Sequence, residues 1–124
     1  VIDFQNASYI KLGRIDYSEV ASQIDPLLIE GEQGYLAFKG IRDYIVFTSK
    51  RIIAVNVQGI TGRKKDYTSL PFVKVQAFSL ETAGTFDLDA ELELWFSGLG
   101  RVKFEFKGNT DVAYLNKLIA HHVL

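Results

Sequence analysis

Apolar positions along this chain change their spacing twice, which divides it into a helical start, a long run of short strands and a helical end. Asp16 and Glu19 stand at capping-box spacing, and Val20, Ile24, Leu27 and Leu28 recur at helical intervals, predicting a short amphipathic helix over about 17 to 25. Pro26 breaks or kinks it. The acidic stretch to Glu32, with Gly31 and Gly34, hands over to a different period. Seven segments rich in β-branched and aromatic residues follow: Tyr35 to Lys39, Tyr44 to Thr48, Arg51 to Val57, Lys65 to Leu70, Val73 to Leu80, Leu88 to Phe96 and Arg101 to Phe106. Turn residues punctuate them at Gly40 to Asp43, Ser49-Lys50, Gln58 to Gly62, Pro71, Ala83-Gly84 and Gly98 to Gly100. Such short links imply an antiparallel meander, because parallel neighbours need crossovers of a dozen or more residues. Asn109, Thr110 and Asp111 offer N-cap side chains, and Val112, Leu115, Leu118 and Ile119 form one apolar face of a closing helix.

The last two strands fix a register. Leu88, Ala90, Leu92, Leu94 and Phe96 share one face, and Asp87, Asp89, Glu91, Glu93 and Trp95 the other. Their partner sets Val102, Phe104 and Phe106 against Arg101, Lys103, Glu105 and Lys107. With a three-residue loop, Ser97 to Leu99, Trp95 faces Arg101, Glu93 faces Lys103 and Asp89 faces Lys107. The unfavourable pair is Glu91 with Glu105, which leaves a five-residue loop as the alternative.

A seven-stranded antiparallel sheet twists and must bury its apolar face by closing on itself or against a helix. The expected architecture is mainly β: a closed or half-closed barrel over 34–107, a capping helix over 110–123, and a helical N-terminal segment over 1–32. With 124 residues, 48% hydrophobic, one domain suffices, and it holds a core without disulfides or metal. The chain has no cysteine, which removes disulfides, thiolate nucleophiles and Cys-based metal sites and fits a reducing, cytoplasmic compartment. There is no signal-peptide-length apolar run, and no eighteen apolar residues stand together. The sequence starts at Val1 without an initiating Met, which leaves room for residues upstream.

Two longer stretches carry a resemblance. Phe38-Lys39-Gly40-Ile41-Arg42-Asp43-Tyr44-Ile45-Val46-Phe47-Thr48-Ser49-Lys50-Arg51-Ile52-Ile53 and Glu81-Thr82-Ala83-Gly84-Thr85-Phe86-Asp87-Leu88-Asp89-Ala90-Glu91-Leu92, with the turn from Gln58 to Lys65 between them, resemble the bacterial pleckstrin-homology domain family. The similarity runs from about Pro26 to His121. It implies a seven-stranded, helix-capped barrel, often a stand-alone protein that assembles into ring-shaped homo-oligomers, and no enzyme activity or cofactor.

Charge is balanced in total, 14 Lys and Arg against 15 Asp and Glu, and uneven in position. Lys39, Arg42, Lys50, Arg51, Arg63, Lys64 and Lys65 share their stretch with a single acid, Asp43; Glu81, Asp87, Asp89, Glu91 and Glu93 share theirs with no base. Near-neutrality gives no global attraction to nucleic acid. The two patches suit a head-to-tail contact between copies, against the alternative of a merely solvated surface. Asp89, Glu91, Glu93 and Trp95 are the candidate interface to self or another protein. Trp95 on a charged face is either a cation–π partner within its own sheet or an anchor for another chain, and the anchor is preferred.

The basic residues are the alternative site, for an anionic phospholipid head group, although the phosphoinositide motif spacing is not reproduced and Asp43 interrupts it. His121 and His122 are adjacent on a helix, about 100° apart, and so are poorly placed to share a metal; their expected role is an ordinary helix C-terminus. No catalytic residues, cofactor or metal are assigned.

Overall fold

The computed structural model describes residues 1–5, 9–82, 89–108 and 110–124. It contains eight antiparallel strands in two sheets. The first sheet runs β1 (Gly13–Ile15), β2 (Gly34–Lys39), β3 (Tyr44–Thr48), β4 (Arg51–Gln58) and β5 (Lys64–Pro71); the second runs β6 (Val75–Thr82), β7 (Ala90–Phe96) and β8 (Gly100–Phe106). Helix α2 (Val112–Val123) closes the chain, with Asp111 as N-cap accepting from the Tyr114 backbone N–H at 3.0 Å. The expected Ala83-Gly84 turn, and the Leu88 start of the sixth expected strand, lie outside the described residues.

The eighth strand is the one that periodicity misses. β1 is three residues long and contains a glycine and an arginine, so it has no alternation to read; it exists because Gly13, Arg14 and Ile15 pair with Lys39, Phe38 and Ala37. Just before it, Tyr9 to Leu12 runs parallel to β8: the Leu12 N–H donates to the Glu105 carbonyl at 2.9 Å, and the Tyr9 carbonyl accepts from Glu105 at 2.8 Å. Within this stretch Lys11 has a φ of 52°, and the chain passes from the β8 ladder to the β2 ladder between Leu12 and Gly13. One corner of the sandwich is thereby laced shut. At the other corner β5 and β6 are joined only by a 3-10 turn, Phe72–Lys74, and do not pair. The sandwich is half closed, and the sixth strand begins at Val75 rather than Val73.

Side-chain alternation fills the space between the sheets. Phe38, Ile45, Phe47, Ile52, Leu70 and Phe72 meet Leu92, Leu94, Val102, Phe104 and Phe106, with Leu115 and Ile119 of α2 over the end. Each such side chain contributes roughly 1.5–3 kcal/mol on burial. A second core lies on the far face of the larger sheet, where Ala37, Tyr44, Val46, Ile53 and Val55 are covered by Val20 and Ile24. The expected single helix over 17–25 is a 3-10 turn (Tyr17–Glu19), one α-helical turn α1 (Ala21–Ile24) and a second 3-10 turn (Asp25–Leu27) with Pro26 inside it. Its capping box forms as the spacing predicts.

Glu32 pins this layer to the sheet. Its side chain is fully buried and takes two hydrogen bonds from Arg51, Nε to Oε2 at 2.9 Å and Nη2 to Oε1 at 3.0 Å. The Thr48 hydroxyl donates to it at 2.6 Å and the Ile29 N–H at 3.1 Å. Burial pushes the carboxyl pKa up, but the Arg51, Thr48 and Ile29 hydrogen bonds outweigh burial and hold it below the usual carboxylate range.

Candidate interaction surfaces

Two adjoining turns form one end of the larger sheet. In the β2–β3 turn the Gly40 N–H donates to the Asp43 carbonyl at 2.9 Å, and Asp43 turns its carboxylate inward, accepting from the Val57 N–H at 2.8 Å and the Asn56 amide at 3.2 Å. The single acid of the basic stretch is therefore a strut between β3 and β4. Arg42 reaches the β4–β5 turn and donates to the Gly59 carbonyl at 2.6 Å. That turn needs left-handed backbone at Gly59 (φ 76°) and Gly62 (φ 68°), which glycine adopts without a Cβ penalty. Between the turns lies an open cleft of about 500 Å³ bordered by Lys39, Arg42 and Lys65. At the tips, Ile41 and Ile60 are 97% and 104% exposed.

The seven basic candidates do not form one patch. Lys39, Arg42, Arg63, Lys64 and Lys65 belong to the turn end, whereas Lys50 and Arg51 flank the β3–β4 turn. Arg51 is taken up by Glu32 and also donates to Ser69 at 2.8 Å and the Leu27 carbonyl at 2.7 Å, so it is a structural residue. Its pairing, 19 residues back along the chain, has no local sequence signal.

The outer face of the smaller sheet carries the other candidates. The three-residue loop and its register are as expected: Trp95 lies opposite Arg101, Glu93 opposite Lys103 and Glu91 opposite Glu105. The pairing with β6 sets Glu91 against Glu81 as well, so three glutamates form a row across the sheet. The bases answer diagonally, Lys103 reaching Glu91 at 3.3 Å and Arg101 reaching Glu93 at 3.7 Å. Much of the acidic charge is thus met within its own sheet. Trp95 is half-buried between Ala77 and Arg101, and Asp89 precedes β7, half-exposed, beyond the last registered pair Ala90–Phe106.

The helix end contains a residue that spacing undervalued. His122 stacks on the buried Phe72 ring at 5.3 Å and 13°, with Tyr35 at 6.0 Å and His121 edge-on at 5.1 Å. Burial, then the charges of His121 and Lys50, push its pKa down. Among the described residues no group of three or more His, Asp or Glu side chains is arranged to hold a metal, and no helix is long and apolar enough to cross a membrane.

The two-sheet, helix-capped architecture has counterparts among solved structures. A DUF1696 family protein with a pleckstrin-homology domain from Shewanella loihica PV-4 superposes with a TM-score of 0.81 at 42% identity, over 93% of this chain and 99% of that one. A pleckstrin homology domain from Shewanella amazonensis SB2B gives 0.67 at 44% identity, over 96% and 93%. The family model for the bacterial PH domain matches residues 3–123. The chain belongs to the bacterial PH domain family. This bacterial PH domain is also 46% identical over 103 residues to YjqA of Bacillus subtilis (strain 168), covering 82% of each, and 30% identical over 109 residues to YozO of the same organism. The PH domain family is generally non-enzymatic, and PH domains in general mediate protein or lipid interactions.

Proposed function

We propose that this bacterial PH domain is a cytoplasmic, self-associating protein-interaction module whose copies meet through the smaller sheet, head to tail, in a closed ring. The observation that carries the reading is the edge of that sheet. β6 is eight residues long and, among the described residues, pairs only with β7. Glu81 is its one charged residue, so it lacks the lysines that usually protect an open edge. Its inward residues Phe78 and Leu80 are only partly covered. Beside it, Trp95 offers a large half-buried ring of the kind that anchors interfaces, with Glu93 and Glu91 further along the same face of β7 and Asp89 just before the strand. A heterologous contact of this type closes into a ring when the rotation between copies permits. Size-exclusion chromatography with light scattering tests it: Trp95→Ala and Ala77→Lys convert the assembly to monomers. A wild-type monomer at every concentration, or an assembly indifferent to both changes, overturns the reading.

A second reading is supported at the turn end, where two almost fully exposed isoleucines stand among Lys39, Arg42, Arg63, Lys64 and Lys65. That combination suits an anionic phospholipid surface, at about 1 kcal/mol per basic residue near the head groups plus shallow insertion of Ile41 and Ile60. Here the domain sediments with phosphatidylglycerol vesicles and not with phosphatidylcholine, and Ile41→Asp with Ile60→Asp abolishes it. Failure to sediment with either lipid removes this reading and leaves the first untouched.

A further inference from the structure

The helical layer covers the far face of the larger sheet only in part. Toward the β2–β3 and β4–β5 turns that face is open, and the cleft of about 500 Å³ lies there, within the size range of binding sites. Its floor is apolar: Val20, Tyr44 and Val57 belong to the second core or pack against it. Glu19 and Gln23 of the layer stand on one side, and Ile41, Arg42, Ile60 and Gly62 of the turns on the other.

Strand alternation brings two of the cations here. Lys39 stands two residues after Ala37 on the same face of β2, and Lys65 is registered opposite Val57. Arg42 comes from the turn. A Cβ on Gly62 would lie 3.5 Å from the Arg42 Nη2 and 3.1 Å from the Val57 Cγ1, so the bare glycine sets guanidinium and floor side by side. Three elements thus supply three cations to one cleft, against a single acid in its lining, Glu19. The Glu19 Oε2 already accepts from the Asp16 N–H at 3.2 Å. Lys39, Arg42, Glu19 and Gln23 are exposed and Lys65 half-exposed, so each is within reach of a ligand. The Tyr9 hydroxyl, by contrast, is buried without a hydrogen-bond partner among the described residues, and Tyr9 does not line this cleft.

Charge complementarity and shape choose the occupant. Three cations against one acid call for an acidic partner, and the apolar floor between them calls for an apolar side chain. A flat bilayer meets the exposed tips Ile41 and Ile60 rather than a floor walled by the helical layer, and Glu19 on that wall opposes a continuous polyanion. An extended peptide suits both walls. The Gln23 Oε1 accepts from the Tyr44 hydroxyl, which leaves the Gln23 amide N–H groups as donors opposite the cations.

We propose that this cleft holds a short acidic peptide segment of a partner protein, with an apolar side chain over Val20 and Val57 and flanking carboxylates at Lys39, Arg42 and Lys65. The site lies on the larger sheet and leaves the Trp95 face free.

Acetyl-Glu-Asp-Leu-Asp-Glu-amide, titrated into the isotope-labelled full chain and followed by amide chemical shifts, supplies the test. Saturable shifts are expected at 19–23, 39–44 and 57–65, and none with the uncharged Gln-Asn-Leu-Asn-Gln analogue. Lys39→Glu and Lys65→Glu each weaken binding about tenfold, the scale of one lost contact to a charged group. Lys64→Glu makes the same change of charge one residue away, outside the lining, and costs measurably less. Glycine in place of the peptide leucine also weakens binding. The proposal is overturned by non-saturating shifts, by shifts centred elsewhere, by Lys64→Glu costing as much as Lys65→Glu, or by the leucine-free peptide binding equally well. Absence of peptide binding together with sedimentation on phosphatidylglycerol vesicles overturns it too, and assigns the cations to a lipid surface.

Discussion

Tyr9 and His122 both hold a polar group in an environment that opposes it, and each makes a separate prediction. A buried hydroxyl without a partner opposes folding by about 1–3 kcal/mol, and the Tyr9 ring keeps its edge contact with Phe104 at 5.5 Å whether or not the oxygen is there. Tyr9→Phe is therefore expected to raise unfolding stability by about 1 kcal/mol, read as a higher urea midpoint with an unchanged slope. His122 acts through protons. Its folded pKa lies below the unfolded value near 6.5, so the unfolded chain binds the proton more readily. Its contribution is fully present above about pH 6.5 and is lost as pH falls through the depressed folded value. His122→Phe keeps a ring stacked on Phe72 and removes the titration, so melting temperature plotted against pH flattens just below 6.5. An unaltered slope would mean that the stack does not sense the proton. The adjacent histidines disfavoured a metal on sequence grounds, but what one of them stacks on depends on Phe72, fifty residues away, and no local pattern reports that.

At the scale of elements, the N-terminal helical layer is held less by its own helix than by what it covers. α1 is a single turn, too short to be stable alone, and it is fixed by Val20 and Ile24 against the larger sheet and by the Glu32–Arg51 pair. Removing one member of a buried pair strands the other, at a cost of about 3 kcal/mol or more. Glu32→Gln is expected to lower stability by about that amount and to speed amide exchange over 17–28 ahead of the sandwich. A uniform change across the chain would show that the layer is not a separate unit. The strands of the sandwich, and the faces of β7 and β8, were legible because alternation survives wherever one face is wet. The second core was hidden in the same signal: Ile52 to Val55 is an unbroken apolar run, which in an antiparallel strand means cover on both faces, and the covering segment shows only Val20 and Ile24 as its fully buried apolar positions. β1 could not be read at all, since three residues paired by their backbone leave no side-chain period.

For the whole molecule, the segregation of charge along the chain and its distribution in space lead to different expectations. Seven bases in one stretch and five acids in another suggest an assembly joined by opposite charges. In the fold, Arg51 is consumed by Glu32, Asp43 braces its own turn, and Glu91 and Glu93 are met by Lys103 and Arg101. Among the described residues of the smaller sheet, apolar surface and backbone stand open beside the acids Glu81 and Glu105: Trp95, Phe78, Leu80 and the outer edge of β6. Contacts between exposed charges are screened beyond about 10 Å at 0.1 M salt, whereas strand pairing and apolar burial are not weakened by salt. The assembly is accordingly expected to keep its mass by light scattering from low to high salt, and to lose it on Trp95→Ala at either. Dissociation by salt alone would return the contact to the charged patches, with Lys39, Arg42 and Arg63 to Lys65 of one copy against the acidic row of the next. Charge reversal at Glu81 or Glu91 would then break the assembly, while Trp95→Ala would leave it intact.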